Sequence, residues 1–423
     1  MRHLLYKLVL ASLLVSTFNS CQRPRVVTGP AGTTQPAPAQ MDAAQLGAGQ
    51  AVWQRQGRRL SLTWEVPHIV GFGGQVERRY VARGATLDLS PPTLAALQDG
   101  TLTALRPQLN AVYRQIEAHR PRDARFVRAE RGWEIQAHAG LIVDRRVTET
   151  ALKNALRGGR QRVFLTLKLV APAQSVASLQ EKGLVHLGSG ETTFTGSPEF
   201  RVHNIVTGAA ALDGVWVVPY QAFDFNRLLR PARLSGAFRP GYVISGGGLA
   251  TEDGGGICQV STTVFRAALQ AGLPILERHP HSHQVAYYGQ PGLDAAVYAP
   301  VKNLRFRNSG RLSLLVQTEW DVGREVLRVH LFGAPPVWQV SVLPPQQTDV
   351  RPALAPQFLL DRGLKRGEAV RIDMPSAGSS VKVIRELRDA QGRVVRREVF
   401  RSRYAPWGGA FAVGPGDPRL RGR

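Results

Sequence analysis

The sequence predicts a multidomain α+β protein, with a mixed α/β N-terminal domain, a central α+β domain and a small all-β C-terminal domain. Its 423 residues are enough for two or three domains of ordinary size. Strand-like alternation and helix-like periodicity are interspersed along most of the chain, whereas the last part alternates as strands between spaced glycines. A hydrophobic fraction of 43% and a charged fraction of 20% are typical of folded protein.

The first 50 residues predict a targeting segment followed by a tether. Residues 1–21 combine a positive start with an apolar stretch from Leu8 to Val15, which is shorter than the roughly 20 residues of a membrane-spanning helix. Cys21 resembles the lipid-attachment cysteine of bacterial lipoproteins; without lipidation, the segment is an ordinary signal peptide cut near Ser20. Residues 22–50 contain too few large apolar side chains to fold and predict a disordered tether.

Residues 51–187 predict an α+β domain, because short alternating segments are interleaved with capped helical ones. Pro91 and Pro92 suit the first turn of a helix capped by Ser90. The predicted elements are strands at Arg59–Val66, Trp133–His138, Leu141–Val143 and Arg162–Val170, and helices capped by Ser90 and Thr148.

The formal net charge of +23 predicts attraction to anionic polymers or anionic lipid headgroups. Nucleic acid is not predicted as a partner, because no basic stripe interleaved with aromatic residues is visible. The alternative is that the arginines simply cover solvated surface.

Residues 188–340 carry short motifs in a fixed order. The motifs are Thr192-Thr193-Phe194, Arg201-Val202-His203-Asn204-Ile205, Phe223-Asp224-Phe225-Asn226, Gly254 to Thr263, Glu277 to Ser282 and Gly292 to Val297. In order and content they resemble the VanW family. Asp224 and Leu293 depart from the family pattern, which commonly has Ser and a polar or basic residue there. The resemblance implies a cell-wall context and an association with glycopeptide resistance, but no defined reaction.

The flanking regions also resemble known domains. Residues 51–187 resemble a domain that often precedes VanW domains and is predicted to bind peptidoglycan. Residues 345–410 resemble a small five-glycine β domain found beside VanW domains. The residues that carry these resemblances are Pro121 to Phe126, Trp133 to Ile135 and Gly140 to Asp144 in the first region, and Gly363, Gly367, Gly378, Gly392 and Ser380–Leu387 in the second.

Cys258 lies at the start of a predicted buried helix that ends before Gly272. Free amide groups and the positive end of the helix dipole would stabilise a thiolate there. Gly254, Gly255 and Gly256 would let a substrate or oxyanion approach the backbone closely. We therefore expect a nucleophile; the alternative is a small buried core residue.

A cysteine nucleophile needs a base, and three histidines follow the helix. We favour His281 as the base, with His279 structural and His283 on the same face as His281. A strand predicted at Gln284–Tyr288 would return the imidazole to the helix, and Asp294 would orient it or serve as a turn residue. The order Cys, His, Asp is similar to the plan of transglutaminase-like and papain-like thiol enzymes.

Two polar side chains are candidate substrate-binding groups. Gln259 could donate its amide to an oxyanion, or be a solvated helix residue. Asn226 could bind a polar ligand, or belong to an exposed turn.

Cys258 with two of the three histidines would give a zinc site, which is the metal alternative. We predict no metal and no cofactor.

Taken together, these features predict an extracytoplasmic, lipid-anchored envelope protein that acts on or binds peptidoglycan. The expected partners are peptidoglycan or another anionic wall polymer, and the membrane through the anchor. If the Cys–His site is active, the reaction would be acyl transfer or peptide cleavage on cell-wall peptides. The alternative is a non-catalytic wall-binding or scaffolding lipoprotein. The sequence does not define the oligomeric state.

Overall fold

A computed structural model describes residues 59–96, 101–245, 248–285 and 288–421. The predicted signal segment, Cys21 and the tether lie outside the described residues. The chain divides into two compact units, Met1–Glu181 and Lys182–Arg423. Both units contain helices and several sheets, which confirms the multidomain α+β prediction. Among the described helices, none is both long and apolar enough to cross a membrane.

The described elements of the first unit are β1 (Arg59–Phe72), β2 (Gln75–Asp88), α1 (Pro91–Ala96), α2 (Arg106–Glu117), β3 (Arg122–Ala129), β4 (Gly132–His138), β5 (Gly140–Val143), α3 (Arg145–Arg157), β6 (Arg162–Phe164), β7 (Leu167–Val170) and α4 (Val176–Gln180). The unit is built on an antiparallel sheet in the order β2-β1-β4-β3, with β6 added parallel to β1. Alternate residues of β1 share one core with the apolar face of α2, as the period of two predicts.

Two predictions in this unit are wrong in detail. Helix α3 begins four residues before the predicted start, because the carboxylate of Asp144 accepts the amide of Val147 and caps the helix. Thr148 instead lies buried within the helix. The single strand predicted at Arg162–Val170 is two strands, because the chain leaves β1 after Phe164 and pairs with β5 from Leu167 onward.

The described part of the second unit contains α5 (Glu199–Leu212), α6 (Phe225–Leu234) and α7 (Ile257–Gln270) among sixteen strands. The strands are β8 (Val185–Thr193), β9 (Val215–Val217), β10 (Ala222–Asp224), β11 (Pro240–Ser245), β12 (Gly248–Asp253), β13 (Ile275–Glu277), β14 (Arg305–Arg307), β15 (Leu314–Asp321), β16 (Val326–Gly333), β17 (Gln339–Val342), β18 (Gln346–Arg351), β19 (Gln357–Leu360), β20 (Ala369–Asp373), β21 (Gly378–Arg388), β22 (Val394–Tyr404) and β23 (Ala410–Val413). They form sheets β8-β16-β15-β9, β10-β14-β13, β11-β12, β17-β21-β18 with β22 paired to β21, and β19-β23-β20.

Helix α7 is the predicted buried helix and lies against strand β8. A side chain at Gly190 would meet the Thr263 carbonyl oxygen at 2.0 Å, so only glycine allows this approach of helix to strand. Val381 and Val383 of β21 belong to the same hydrophobic core as the helix. The guanidinium of Arg385 donates to the carbonyl oxygens of Leu269, at 3.1 Å, and Leu273, at 2.9 Å. The C-terminal strands therefore hold the end of α7 opposite Cys258.

Candidate active site

Cys258 is the second residue of α7, and its surroundings follow from the preceding glycines. Gly256 caps the helix with φ 113°, a left-handed conformation, and a side chain there would lie 3.1 Å from the Arg201 carbonyl oxygen. The backbone amide of Ile257 donates to the carbonyl oxygen of Gly254, and the backbone amide of Gln259 donates to the carbonyl oxygen of Gly256, both at 3.0 Å. The amide of Cys258 lies between them and has no backbone acceptor among the described residues.

The thiol of Cys258 is half-buried and contacts two groups. The backbone of Val297 is one, since its amide donates to Sγ and its carbonyl oxygen accepts from Sγ, both at 3.5 Å. The imidazole of His281 is the other, and its interaction with the thiol lowers the pKa of Cys258. The structure therefore brings together the predicted nucleophile and the favoured base.

His281 is oriented by Asp294 from its other side. Nδ1 of His281 lies 2.6 Å from Oδ2 of Asp294, and the backbone amide of His281 donates to the same oxygen at 2.8 Å. This contact leaves Nε2 to serve the thiol. The thiol, imidazole and carboxylate thus follow one another as a relay, in the order of the triad of thiol enzymes.

The other two histidines point to different partners. His279 Nε2 lies 3.1 Å from a carboxylate oxygen of Glu277. His283 stacks on Trp407 with ring centroids 4.7 Å apart, and its Nδ1 lies 3.3 Å from the carbonyl oxygen of Ala405. The strand predicted at Gln284–Tyr288 is absent at 284, 285 and 288, the positions described there, and an irregular loop carries His281 instead.

Asp294 is the centre of a buried network that includes two residues not singled out from the sequence. Arg278 donates to Oδ1 at 2.8 Å, and the hydroxyl of Tyr404 donates to the same atom at 2.5 Å. Arg278 was visible as part of the Glu277 to Ser282 motif, beside the histidines. Tyr404 is 110 residues from Asp294 along the chain and carries no local sequence signal.

The charges of this network shift three pKa values. Burial raises the pKa of Cys258, but the hydrogen bond and charge of His281, the Val297 backbone and the charge of Arg233 outweigh it, so the thiol pKa is lowered. Burial lowers the pKa of His281, but hydrogen bonds to Asp294 and Cys258 raise it to about 9. The pKa of Asp294 falls well below its usual range, despite burial, because His281, Arg278 and Tyr404 stabilise the carboxylate. These directions favour a thiolate–imidazolium pair.

The predicted substrate-binding residues have largely structural contacts. Gln259 is fully buried, and its amide nitrogen donates to Thr193 O at 2.8 Å and Thr192 Oγ1 at 3.1 Å, so it has no hydrogen left for an oxyanion. The carbonyl oxygen of Gly255 accepts a hydrogen bond from Nδ2 of Asn204 at 3.0 Å, and Gly255 packs toward helix α5. The geometry therefore favours the amide of Cys258 itself as an oxyanion donor.

Asn226 lies at the start of α6 and forms hydrogen bonds with Lys302 and Asn303, in the segment that follows Val297. Its Nδ2 donates to the Lys302 carbonyl oxygen at 2.9 Å, and its backbone amide donates to Asn303 Oδ1 at 3.0 Å. The nearby Asp224 caps α6 by accepting the amide of Arg227 at 3.0 Å. These contacts explain the motif around residues 223–226 as a joint between the helix and the loop beside the thiol.

The described residues do not provide the ligand set that the zinc alternative requires. Across the parts of the chain that the structure describes, no three His, Cys, Asp or Glu side chains are grouped closely enough to hold a metal ion. Cys258 meets only one of the three histidines, because His279 and His283 face other partners.

Comparison with known proteins matches the same part of the chain. A family model described as VanW like protein matches residues 200–332. The chain is 34% identical over 144 residues to the uncharacterized protein YoaR of Bacillus subtilis (strain 168), covering 34% of this chain and 47% of YoaR. It is 32% identical over 116 residues to the vancomycin B-type resistance protein VanW of Enterococcus faecalis (strain ATCC 700802 / V583), covering 26% of this chain and 42% of that protein. The matches thus span somewhat less than half of each relative. Residues 200–332, which carry Cys258, His281 and Asp294, are a VanW-like domain.

Proposed function

We propose that this protein is an exported cell-envelope protein whose VanW-like domain carries out acyl transfer or peptide cleavage on cell-wall peptides, with Cys258 as nucleophile. The observation that carries the proposal is the relay from the thiol through His281 to Asp294, at the start of a buried helix. The cell-wall context is supported by the family resemblance and by one relative named for vancomycin resistance.

The proposed reaction begins with a thiolate–imidazolium pair. Sγ of Cys258 attacks a carbonyl carbon of the substrate, and the oxyanion that forms accepts a hydrogen bond from the Cys258 amide. His281 then gives its proton to the leaving amine, and the carbon–nitrogen bond breaks, which leaves a thioester. Water or a second amine, deprotonated by His281, attacks the thioester and restores the thiol. Asp294 keeps the imidazole oriented throughout.

The rival function is non-catalytic wall binding or scaffolding. Its support is that Asp294 also holds together the loop of His281 and strand β22, through Arg278 and Tyr404. A purely structural network would use the same contacts. The two functions differ in one respect, because only the enzyme forms a covalent intermediate.

Intact mass spectrometry distinguishes the two functions. The purified full chain is incubated with muropeptides released from sacculi, beside Cys258→Ala and the matched variant Ser282→Ala, whose side chain is exposed. The enzyme proposal predicts an acyl adduct on Cys258, or altered muropeptides, with the wild type and Ser282→Ala but not with Cys258→Ala. If wild type and Cys258→Ala give identical products and no adduct, while wall binding is retained, the scaffolding function is correct.

Attachment to the membrane has a separate test. Lipidation of Cys21 predicts that the protein fractionates with membranes and that Cys21→Ser is released into the soluble fraction. Equal membrane association of both forms would refute the lipid anchor.

A further inference from the structure

Helix α6 presents three arginines on one side. Arg227, Arg230 and Arg233 are all exposed, while Phe225 and Leu229 on the opposite side are fully buried. Residues three apart lie on neighbouring turns, so the row spans about 9 Å along the helix. We call these three residues the arginine row.

The arginine row has no compensating acidic partners in the described parts of the chain, although other arginines of this unit do. The paired ones are Arg239 with Glu199, Arg305 with Asp224, Arg324 with Asp321, and Arg328 with Glu191. Three adjacent, uncompensated guanidinium groups repel one another and are favourable where an anion binds between them.

The helix that carries the row is linked to the thiol site by a chain of contacts. Asn226, in the first turn of α6, holds the Lys302 carbonyl oxygen at 2.9 Å. Lys302 pairs with Tyr298 through two backbone hydrogen bonds, and the preceding residue, Val297, contacts Sγ of Cys258 with its backbone. This chain of contacts ties the helix to the wall of the thiol site. The positive charge of Arg233 also contributes to the lowered pKa of Cys258.

We propose that the arginine row is a subsite for a free carboxylate of the peptide on which Cys258 acts. This inference rests on the proposed function and names its substrate class, a peptide with a carboxylate near the reacting carbonyl. A residue of extended peptide spans about 3.5 Å, so the 9 Å row is as long as two to three peptide residues. Arginine suits this role because its planar fork can bind a carboxylate through two hydrogen bonds.

Two small thiol reagents of nearly equal size test the proposal without a known substrate. Iodoacetamide is neutral and iodoacetate carries a carboxylate, and both alkylate the thiolate. The ratio of their rate constants, iodoacetate over iodoacetamide, cancels the fraction of thiolate and reports the local attraction for a carboxylate. The full chain is used with Cys21→Ser, so that Cys258 is the sole thiol.

The test variant replaces the row, as Arg227→Gln, Arg230→Gln and Arg233→Gln together. The matched control replaces three exposed arginines of the other compact unit, as Arg78→Gln, Arg131→Gln and Arg157→Gln, with the same change in net charge. We expect the ratio to fall by about tenfold in the row variant, at roughly two- to threefold per charge in high dielectric, and to be unchanged in the control. Added salt should lower the ratio of the wild type toward that of the row variant.

The outcomes separate the two proposals. If Cys258 reacts with iodoacetamide as a shifted thiolate but the ratio is equal in the row variant and the control, the subsite is refuted while the thiol enzyme stands. If Cys258 does not react with iodoacetamide in the folded protein, both proposals fail. Circular dichroism of each variant confirms folding, and three single arginine variants replace the triple if it does not fold.

Discussion

The replacement Asp294→Asn tests how the buried carboxylate supports both folding and chemistry. Asp294 accepts hydrogen bonds from Arg278, Tyr404 and two nitrogens of His281. Asparagine has the same shape but one acceptor oxygen, and its NH₂ group faces donors. Arg278, with a side chain 5% exposed, would remain charged without its counter-ion.

The expected loss of stability follows from this burial. Removing one partner of a buried ion pair costs on the order of 3–5 kcal/mol, because the other charge stays desolvated. We expect Asp294→Asn to lower the free energy of unfolding in urea by about that amount. The control Asp321→Asn breaks an exposed pair with Arg324, whose side chain is 81% exposed, and should cost at most about 1 kcal/mol.

The same change should weaken the thiolate. Without the carboxylate, the pKa of His281 falls from about 9 and the pKa of Cys258 rises toward its ordinary value. Each unit of rise lowers the thiolate fraction about tenfold at a pH below the thiol pKa. Iodoacetamide alkylation at pH 6 should therefore slow in Asp294→Asn and remain unchanged in Asp321→Asn. Equal stability and equal alkylation rates in the two variants would refute the reasoning.

Four other predictions concern single residues and pH. Tyr404→Phe should destabilise the protein by about 1–3 kcal/mol in urea unfolding, because Asp294 loses a charged hydrogen bond; no change would contradict it. Gly256→Ala should lower the melting temperature, because φ is 113°, by an amount equivalent to roughly 1–3 kcal/mol; an unchanged melting temperature would exclude this strain. Asp144→Ala should cost about 1 kcal/mol in denaturant unfolding and Thr148→Val should not, whereas the reverse would restore Thr148 as the cap. The stability difference between wild type and Asp294→Asn should be largest near pH 4–6.5, as urea unfolding across pH measures. The lowered pKa of Asp294 stabilises the folded protein at pH values above the pKa that the carboxyl has in the unfolded chain. The raised pKa of His281 stabilises the folded protein below about pH 6.5, and this contribution is lost as the pH rises toward about 9. A stability difference that grows up to pH 9 would contradict this prediction.

Elements with strong local signals were predictable from the sequence. The glycines before Cys258 and the apolar period after it predicted α7 and the position of the thiol at its start, and the structure has both. Gly272, with φ 68°, ends the helix region as its position suggested. Ser90 caps α1 with its side chain, again a local interaction.

Other features depend on contacts that a local pattern does not contain. Thr148 and Asp144 are both acceptable caps, and only the tertiary position of the helix selects Asp144. The segment at Arg162–Val170 alternates throughout, yet it divides between two sheets because different strands offer free edges. Gln259 looked available for an oxyanion, but the strand β8 that covers it comes from 66 residues away. Tyr404 reaches Asp294 from the last long strand, which no spacing near the motif indicates.

The pH dependence of Cys258 alkylation tests the central claim most directly. Iodoacetamide rate constants are measured from pH 5 to 10 on the full chain with Cys21→Ser, and again after adding His281→Ala. We predict that the first protein has its reaction midpoint below the ordinary thiol pKa of about 8.5, and that His281→Ala shifts the midpoint to that value or above. Superimposable profiles with an ordinary thiol midpoint in both proteins would contradict a thiolate–imidazolium pair.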